Sequence, residues 1–270
     1  VALAIMRDFS RQGFLGPDSE AILSSVIVGV VGVGGGGSHI VQQFSHIGVR
    51  RYVVADGDTV EDHNLNRLIG ATRRDAARAV PKIKVAQRII RGLNTGVEIH
   101  PVSRPWQTAI SDFRRCHAIV GCVDSFSERD QLEKFCRRFL IPYIDIGMDV
   151  HAVGSEFVIA GQVVLSMPGE HCMWCMGLLD EQSIAEEARR YGDAGFNPQV
   201  IWPNGVLAST AVGLFMQLVT PWHQKHQQSV YLEYNGNSHT VAPSNRMMAL
   251  AGRACPHFSA GERGDPLFGR

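Results

Sequence analysis

The sequence predicts an α/β fold: a mostly parallel sheet flanked by helices, with an antiparallel extension of the sheet in the C-terminal half. Three observations carry this prediction. Apolar runs at Val26–Val31, Tyr52–Ala55 and Ala118–Val123 are short and rich in β-branched residues, the pattern of strands buried on both faces. Segments with helical spacing (Ile40, Val41, Phe44, Ile47, then Ile83, Ala86, Ile89, Ile90, Leu93) fall between them. The first strand and first helix are joined by Gly32-Val33-Gly34-Gly35-Gly36-Gly37-Ser38, and the second strand ends on Asp56. Strand, glycine turn, helix, strand and acid make the first half of a dinucleotide-type, Rossmann-like unit.

Each element has a local reason. Residues 4–25 read as a helical segment ahead of the sheet. In the glycine turn, Gly32 permits the tight bend, Gly34 lets backbone N–H groups approach a phosphate, and Gly37 lets the helix pack on the strand. A phosphate there meets a helix N-terminus, where unpaired N–H groups and the helix dipole favour negative charge. Asp56 is positioned to accept hydrogen bonds from ribose hydroxyls. Pro81 opens the next helix, and Lys82 in its first turn works against the helix dipole, which hints at a use outside the helix. Val97–Pro101 reads as the third strand, and Asp112–Arg115 closes a short helix. The run to Val123 ends on Asp124, at the carboxyl end of a parallel strand where ligands sit. A helix with Leu132, Phe135 and Cys136 on its buried side follows, then a strand at Pro142–Gly147. Phe157–Ile159 and Gln162–Leu165 alternate and read as a hairpin turning at Ala160-Gly161. Gly205–Val219 is an apolar helix, read as core and dimer contact.

After Asp56 the chain runs Gly57-Asp58-Thr59-Val60-Glu61-Asp62-His63-Asn64-Leu65-Asn66-Arg67. Together with GVGGGGS, Pro81-Lys82 and Gly121-Cys122-Val123-Asp124, this loop resembles the ThiF/MoeB/HesA adenylyltransferases, the ubiquitin-activating-enzyme-like family. The motifs stand in the family's order, and the similarity runs from about Arg7 to His257. The resemblance implies ATP-dependent adenylation of the C-terminal carboxylate of a ubiquitin-like or sulfur-carrier protein, with release of pyrophosphate. It implies nucleotide contacts from Gly32, Gly34, Gly35, Gly37, Asp56, Asn64, Asn66, Arg67, Lys82, Asp124 and Ser125, with Asp58 either touching nucleotide or shaping the loop. Arg67, Lys82, Asp124 and Arg11 are its catalytic set, Arg11 reaching across a homodimer and Asp124 holding Mg²⁺. Arg67 has independent appeal, since a guanidinium fork matches phosphate oxygens. Ser125 departs from the family's usual Asn. Arg73, Arg74 and Arg78 read as a solvated basic face.

Cys172-Met173-Trp174-Cys175 is a CxxC, and Cys255-Pro256-His257 follows far downstream. Two thiolates at that spacing with a further Cys and His make four tetrahedral zinc ligands. Where the family has a second CxxC this chain has Phe258, so His257 is the candidate fourth ligand, with His171 in reserve. Residues 177–203 match the family's crossover loop, yet no cysteine occurs between Met176 and Ala254. Thioester or persulfide chemistry on that segment needs a thiolate. An adenylation-only enzyme near the MoeB branch is therefore expected. Adenylation of a short peptide and the tRNA threonylcarbamoyl-adenosine dehydratase branch are the alternatives within the family. A nicotinamide oxidoreductase is the alternative outside it, disfavoured by the polar loop and Lys82.

Length and composition set the frame. At 270 residues the chain can bury one good core, and a single domain is expected: an N-terminal segment (1–25), a nucleotide-binding half (26–150) and a half for carrier, crossover loop and zinc (151–270). Lys+Arg and Asp+Glu are both 26, which leaves no footprint for non-specific nucleic-acid binding. No apolar run reaches membrane-span length, and six cysteines without a scaffold pattern point to a reducing, cytoplasmic setting.

Overall fold

The computed structural model describes residues 7–189, 198–223 and 228–258. Among them, eight strands form one sheet in the order β3-β2-β1-β4-β5-β6-β7-β8. The strands β1 (Ile27–Val31), β2 (Arg51–Ala55), β3 (Glu98–Val102), β4 (Ala118–Gly121) and the first part of β5 (Tyr143–Val153) run parallel. β6 (Glu156–Ser166), β7 (Val230–Asn235) and β8 (Thr240–Pro243) continue the sheet antiparallel. Both parts of the expected fold are present.

Helices cover both faces because β1 and β4 are buried on both. On one face, α1 (Ser19–Ser25) stands ahead of the sheet. With it α2 (Gly35–Ile47), α4 (Lys82–Leu93) and α8 (Ile201–Val219) bury Ile40, Phe44, Ile83, Leu207 and Phe215 against Val28 and Val30. Phe44 and Phe215 meet at 4.7 Å between ring centroids, locking α2 to α8. The short α3 (Arg73–Ala77) lies before α4, capped by Thr72, with Arg73, Arg74 and Arg78 exposed. On the other face, α5 (Ile110–Phe113) and α6 (Phe126–Arg138) enclose Phe113, Ile119, Leu132 and Cys136. α7 (Glu181–Arg189) leans on α6, and α9 (Asn245–Ala249) follows β8.

Some expected boundaries move. Phe157–Ile159 and Gln162–Leu165 are not two arms of a hairpin; they belong to the single strand β6, paired along its length with β5. The turn lies at Gly154, whose φ of +63° suits it. Gly161 is mid-strand for a packing reason: a Cβ there would press on Leu207 and the Gly147 carbonyl. The N-terminal segment is a 3-10 turn, Ser10–Leu15, and then α1, with residues 1–6 outside the described residues. Pro203 sits in the first turn of α8 and not in a loop, while Gly192 and Gly195 lie outside the described residues.

The chain leaves β1 toward β2 on one side, and β4 joins β1 on the other, so the sheet's topological switch point lies between β1 and β4. Ligands of open α/β sheets sit outside the strand ends there. Gly32 follows β1 and Asp124 follows β4, and both face that crevice.

Candidate active site

The crevice has two lobes that share Gly34, Lys82, Cys122 and Asp124. The larger, ≈ 390 Å³, is lined by Gly32, Asp56, Asp58, Ser125, Arg104, Trp106 and Glu128 among others. That volume is in the range of nucleotide-sized sites. The smaller, ≈ 70 Å³, is lined by Gly35, Asn64, Arg67, Gln199 and Asn204. It is the narrower of the two and is reached from the polar loop and the start of α8.

The glycine turn is built around what it leaves open. Gly32 has φ +81°, and a Cβ there would strike the Cys122 carbonyl. Gly37 lies so close under the Gly32 carbonyl that no side chain fits. Gly34 is the contrast: a Cβ there would meet no protein atom, yet the residue lines both lobes. Space kept clear over the N-terminus of α2, with no packing demand for glycine, suits a phosphate.

Asp56 braces this turn. Its Oδ2 accepts from the Val33 amide at 2.7 Å and its Oδ1 from the Asp58 amide at 2.8 Å. Burial pushes its carboxyl up, and those two N–H donors pull it back. Each oxygen keeps a lone pair for a ligand. Lys82, largely buried, donates to Asp58 Oδ2 at 2.8 Å. Asp58 thus holds the ammonium of Lys82 at the junction of the lobes. Asn64 is buried, and its Oδ1 accepts from the Glu61 amide at 3.0 Å, which fixes the polar loop. Arg67 is tethered by its own loop, donating to the His63 carbonyl at 2.7 Å and Asn66 Oδ1 at 3.0 Å. Asn66 itself donates to the Gln199 carbonyl at 3.0 Å and joins the loop to the start of α8. Asp124 is exposed and, among the described residues, meets only the Gln199 amide, at 3.3 Å from each oxygen. A carboxylate so lightly held fits a hard divalent cation that keeps most of its waters. Ser125 is the N-cap of α6, accepting from the Glu128 amide at 3.1 Å.

Arg11 is not brought to this cleft. It is exposed on the 3-10 turn and lines neither lobe of its own chain. Arg7 is occupied elsewhere, donating to the Ser45 and His46 carbonyls at the end of α2 and to Asn94 Oδ1. A cation there complements the helix dipole.

Cys172, Cys175, Cys255 and His257 converge, their ligand atoms all within 4.8 Å of one another. Sulfur–sulfur separations of 3.6 Å, with His257 Nδ1 3.3 and 3.4 Å from two of the sulfurs, are the edges of a tetrahedron sized for zinc–thiolate bonds. His257 fills the fourth corner, and His171 is outside the cluster.

The sequence profile of the ThiF family matches residues 7–256. The chain belongs to the ThiF family. Its relatives include the SAMP-activating enzyme E1 of Haloferax volcanii, 31% identical over 60% of this chain and 57% of that protein. The molybdopterin-synthase adenylyltransferase of Salmonella typhimurium is 29% identical over 76% of this chain and 75% of that protein. For the first of these the match spans little more than half the relative's length. Among solved structures, E. coli MccB with ATP superposes with a TM-score of 0.70 at 17% identity, covering 88% of this chain and 67% of that one, a likeness of fold.

Several residues of this ThiF-family cleft escape a motif reading. Gln199 and Asn204 arrive from the start of α8, and Asn204 packs so tightly over Gly35 that a Cβ there would touch its amide. An Asn in the first turn of an otherwise apolar helix is the signal that could have found it. Beneath the floor, Arg129 donates to Asp145 Oδ1 at 3.2 Å, both buried, and Tyr143 donates to the same oxygen at 3.0 Å. Arg129, Leu132, Glu133 and Cys136 share one helix face, and charges on an apolar face announce buried ion pairs. Among the described residues, no helix is long and apolar enough to cross a membrane.

Proposed function

We propose that this ThiF-family chain is an adenylyltransferase that uses ATP to activate the C-terminal carboxylate of a ubiquitin-like or sulfur-carrier protein. The observation that carries the reading is the two-lobed cleft. A nucleotide-sized lobe and a narrower one share one junction, walled by Gly34, Lys82 and Asp124. With a nucleotide in the first and a carboxylate in the second, the α-phosphorus lies at that junction. A carboxylate oxygen attacks it, the new P–O bond gives the acyl-adenylate, and pyrophosphate leaves with the electron pair of the broken bond.

This chain's groups would bind, orient and neutralise. The Gly34 turn would take phosphate oxygens, and Lys82 would pass from Asp58 to the phosphates. Arg67 and Asn64 would orient the incoming carboxylate, and Asp56 the ribose. Mg²⁺, held by Asp124, would supply charge neutralisation on the phosphates. Arg11 would act only from a second copy of the chain, in a homodimer. Zinc at the Cys3His cluster would be structural, since four protein ligands leave no open position. Adenylation without a thioester is favoured by the missing cysteine in residues 177–253. The cleft's own Cys122 does not change this, because burial pushes its thiol far up and keeps it protonated.

ATP–pyrophosphate exchange tests the reading directly. With Mg²⁺ and a ubiquitin-like protein encoded beside this gene, exchange should require the carrier's intact C-terminal glycine. Asp124→Ala should lower it by about a hundredfold or more. Exchange supported only by a short peptide or a modified tRNA would move the chain to another branch of the family. No exchange with any of them would overturn the catalytic assignment.

A further inference from the structure

The larger lobe carries a group that the nucleotide reading has not used. Glu128 lines it, facing a cavity whose walls there include Arg104, Pro105, Val123 and Ser125. Its place is fixed, because it sits in the first turn of α6 with its amide bonded to Ser125 Oγ at 3.1 Å. The side chain is half-buried.

Glu128 is the odd member of an acidic rim. Asp58 holds Lys82, Asp56 accepts two backbone N–H groups, and Asp124 meets Gln199. Glu187, from α7, accepts from the amides of Phe126 and Ser127 at 3.2 and 3.0 Å. Among the described residues, the Glu128 carboxylate makes no hydrogen bond or ion pair. Burial first, and then the negative charges of Glu187, Asp124, Asp56 and Asp58, push its carboxyl up. An acceptor that the protein leaves without a donor, in the wall of a ligand cavity, is free to meet a donor on the ligand.

In the nucleotide reading Gly34 and Asp56 take the phosphates and the ribose, which leaves the wall that Glu128 shares with Arg104, Pro105 and Trp106 to the base. A carboxylate accepts hydrogen bonds, and a base edge that offers N–H groups answers it. We infer that Glu128 reads the base of the bound nucleotide by accepting a hydrogen bond from the exocyclic 6-amino group of adenine. The inference rests on the nucleotide reading above and gives it a specificity determinant outside the family motifs this chain carries.

The test compares two ligands and three proteins in direct binding by calorimetry. ATP and purine riboside triphosphate differ at C6, where the second lacks the amino group. The wild-type chain should bind ATP about tenfold more tightly, the size of one hydrogen bond to a charged acceptor. Glu128→Ala should bring the two within twofold of each other, chiefly by losing ATP affinity. Glu128→Gln keeps an acceptor oxygen and should retain part of the preference, which a merely structural role would not predict. Equal binding of the two ligands by the wild type overturns the inference and leaves the nucleotide reading intact. Failure of ATP to bind at all overturns that reading instead.

Discussion

The two ends of α6 are built to opposite rules. At its C-terminal end Glu133 and Arg137 are buried, and every polar atom has a partner. Glu133 accepts from Ser166 Oγ, the Met173 amide and Arg137. Arg137 donates to Ser166 Oγ and to the carbonyls of Glu170 and His171, with its guanidinium 4.8 Å over the Phe258 ring. At the N-terminal end the same helix offers a half-buried carboxylate with no partner among the described residues and a helix start shared between Ser125 and Glu187. Saturated groups hold a structure; acceptors left open toward a cavity wait for a ligand. The C-terminal end anchors the loop that carries Cys172 and Cys175, and the N-terminal end edges the nucleotide lobe.

The sharpest way to break this comparison is at the cluster that the saturated end supports. Cys172 and Cys175 lie in one loop, Cys255 and His257 near the end of the described chain, so a metal there ties two distant segments together. Elemental analysis should give one zinc per chain. Cys172→Ser or a strong chelator should remove it and lower the thermal midpoint by roughly 10 °C or more, since metal-binding energy is folding energy. A metal-free chain with an unchanged midpoint would reduce the cluster to packed thiols.

Next comes Glu133. Truncating it strands the Arg137 guanidinium without its carboxylate inside the protein. Glu133→Ala should cost about 3–5 kcal/mol in urea unfolding. Glu133→Gln, which still offers an oxygen to Ser166 and Met173, should cost less. Equal losses would mean that shape matters here and charge does not.

Ser125→Ala removes the cap of α6 and should cost about 1 kcal/mol. Glu187 supplies a second acceptor to the same helix start, so removing both should cost more than the sum of the single losses. Strict additivity would show that Ser125 and Glu187 support the start of α6 independently of each other.

How much of this was legible in the sequence follows from how local each feature is. The parallel half of the sheet, the glycine turn and Asp56, Lys82 and Asp124 are set by runs of a few residues, whose period and punctuation name the element and its end. The Cys3His donor set was legible because donor chemistry is carried by residue type; that the four atoms meet is a fact of the fold. The β6 turn was misread because Ala160-Gly161 looks like a turn, whereas Gly161 is small to admit Leu207. Glu128 was invisible for a third reason. On a charged amphipathic helix it looks like any solvated glutamate, and only the arrival of β2, β4 and the loop after β3 around it makes a cavity wall. Arg11 is the converse, a motif residue that one copy of the chain leaves on the surface.

The smallest expected effect bears most directly on the contrast between the two ends. Glu128→Gln is nearly isosteric and removes a titrating group. The folded protein holds the Glu128 carboxyl above its ordinary range, so it favours the protonated form that the unfolded chain gives up sooner. Between the ordinary glutamate value of 4.5 and the raised folded one, the folded state binds more protons than the unfolded, and stability falls as pH rises. Below that window wild type and Glu128→Gln should match; above it the variant should be the more stable by a few tenths of a kcal/mol, little because the group is half in water. Saturating ATP should reverse the order, because the ligand's amino group then gives the ionised carboxylate the donor that the protein withholds. Glu133→Gln should show no such reversal, because its carboxylate already has all its donors from the protein. If the ligand leaves the order at position 128 unchanged, the two ends of α6 differ only in burial, and the open acceptor has no ligand to meet.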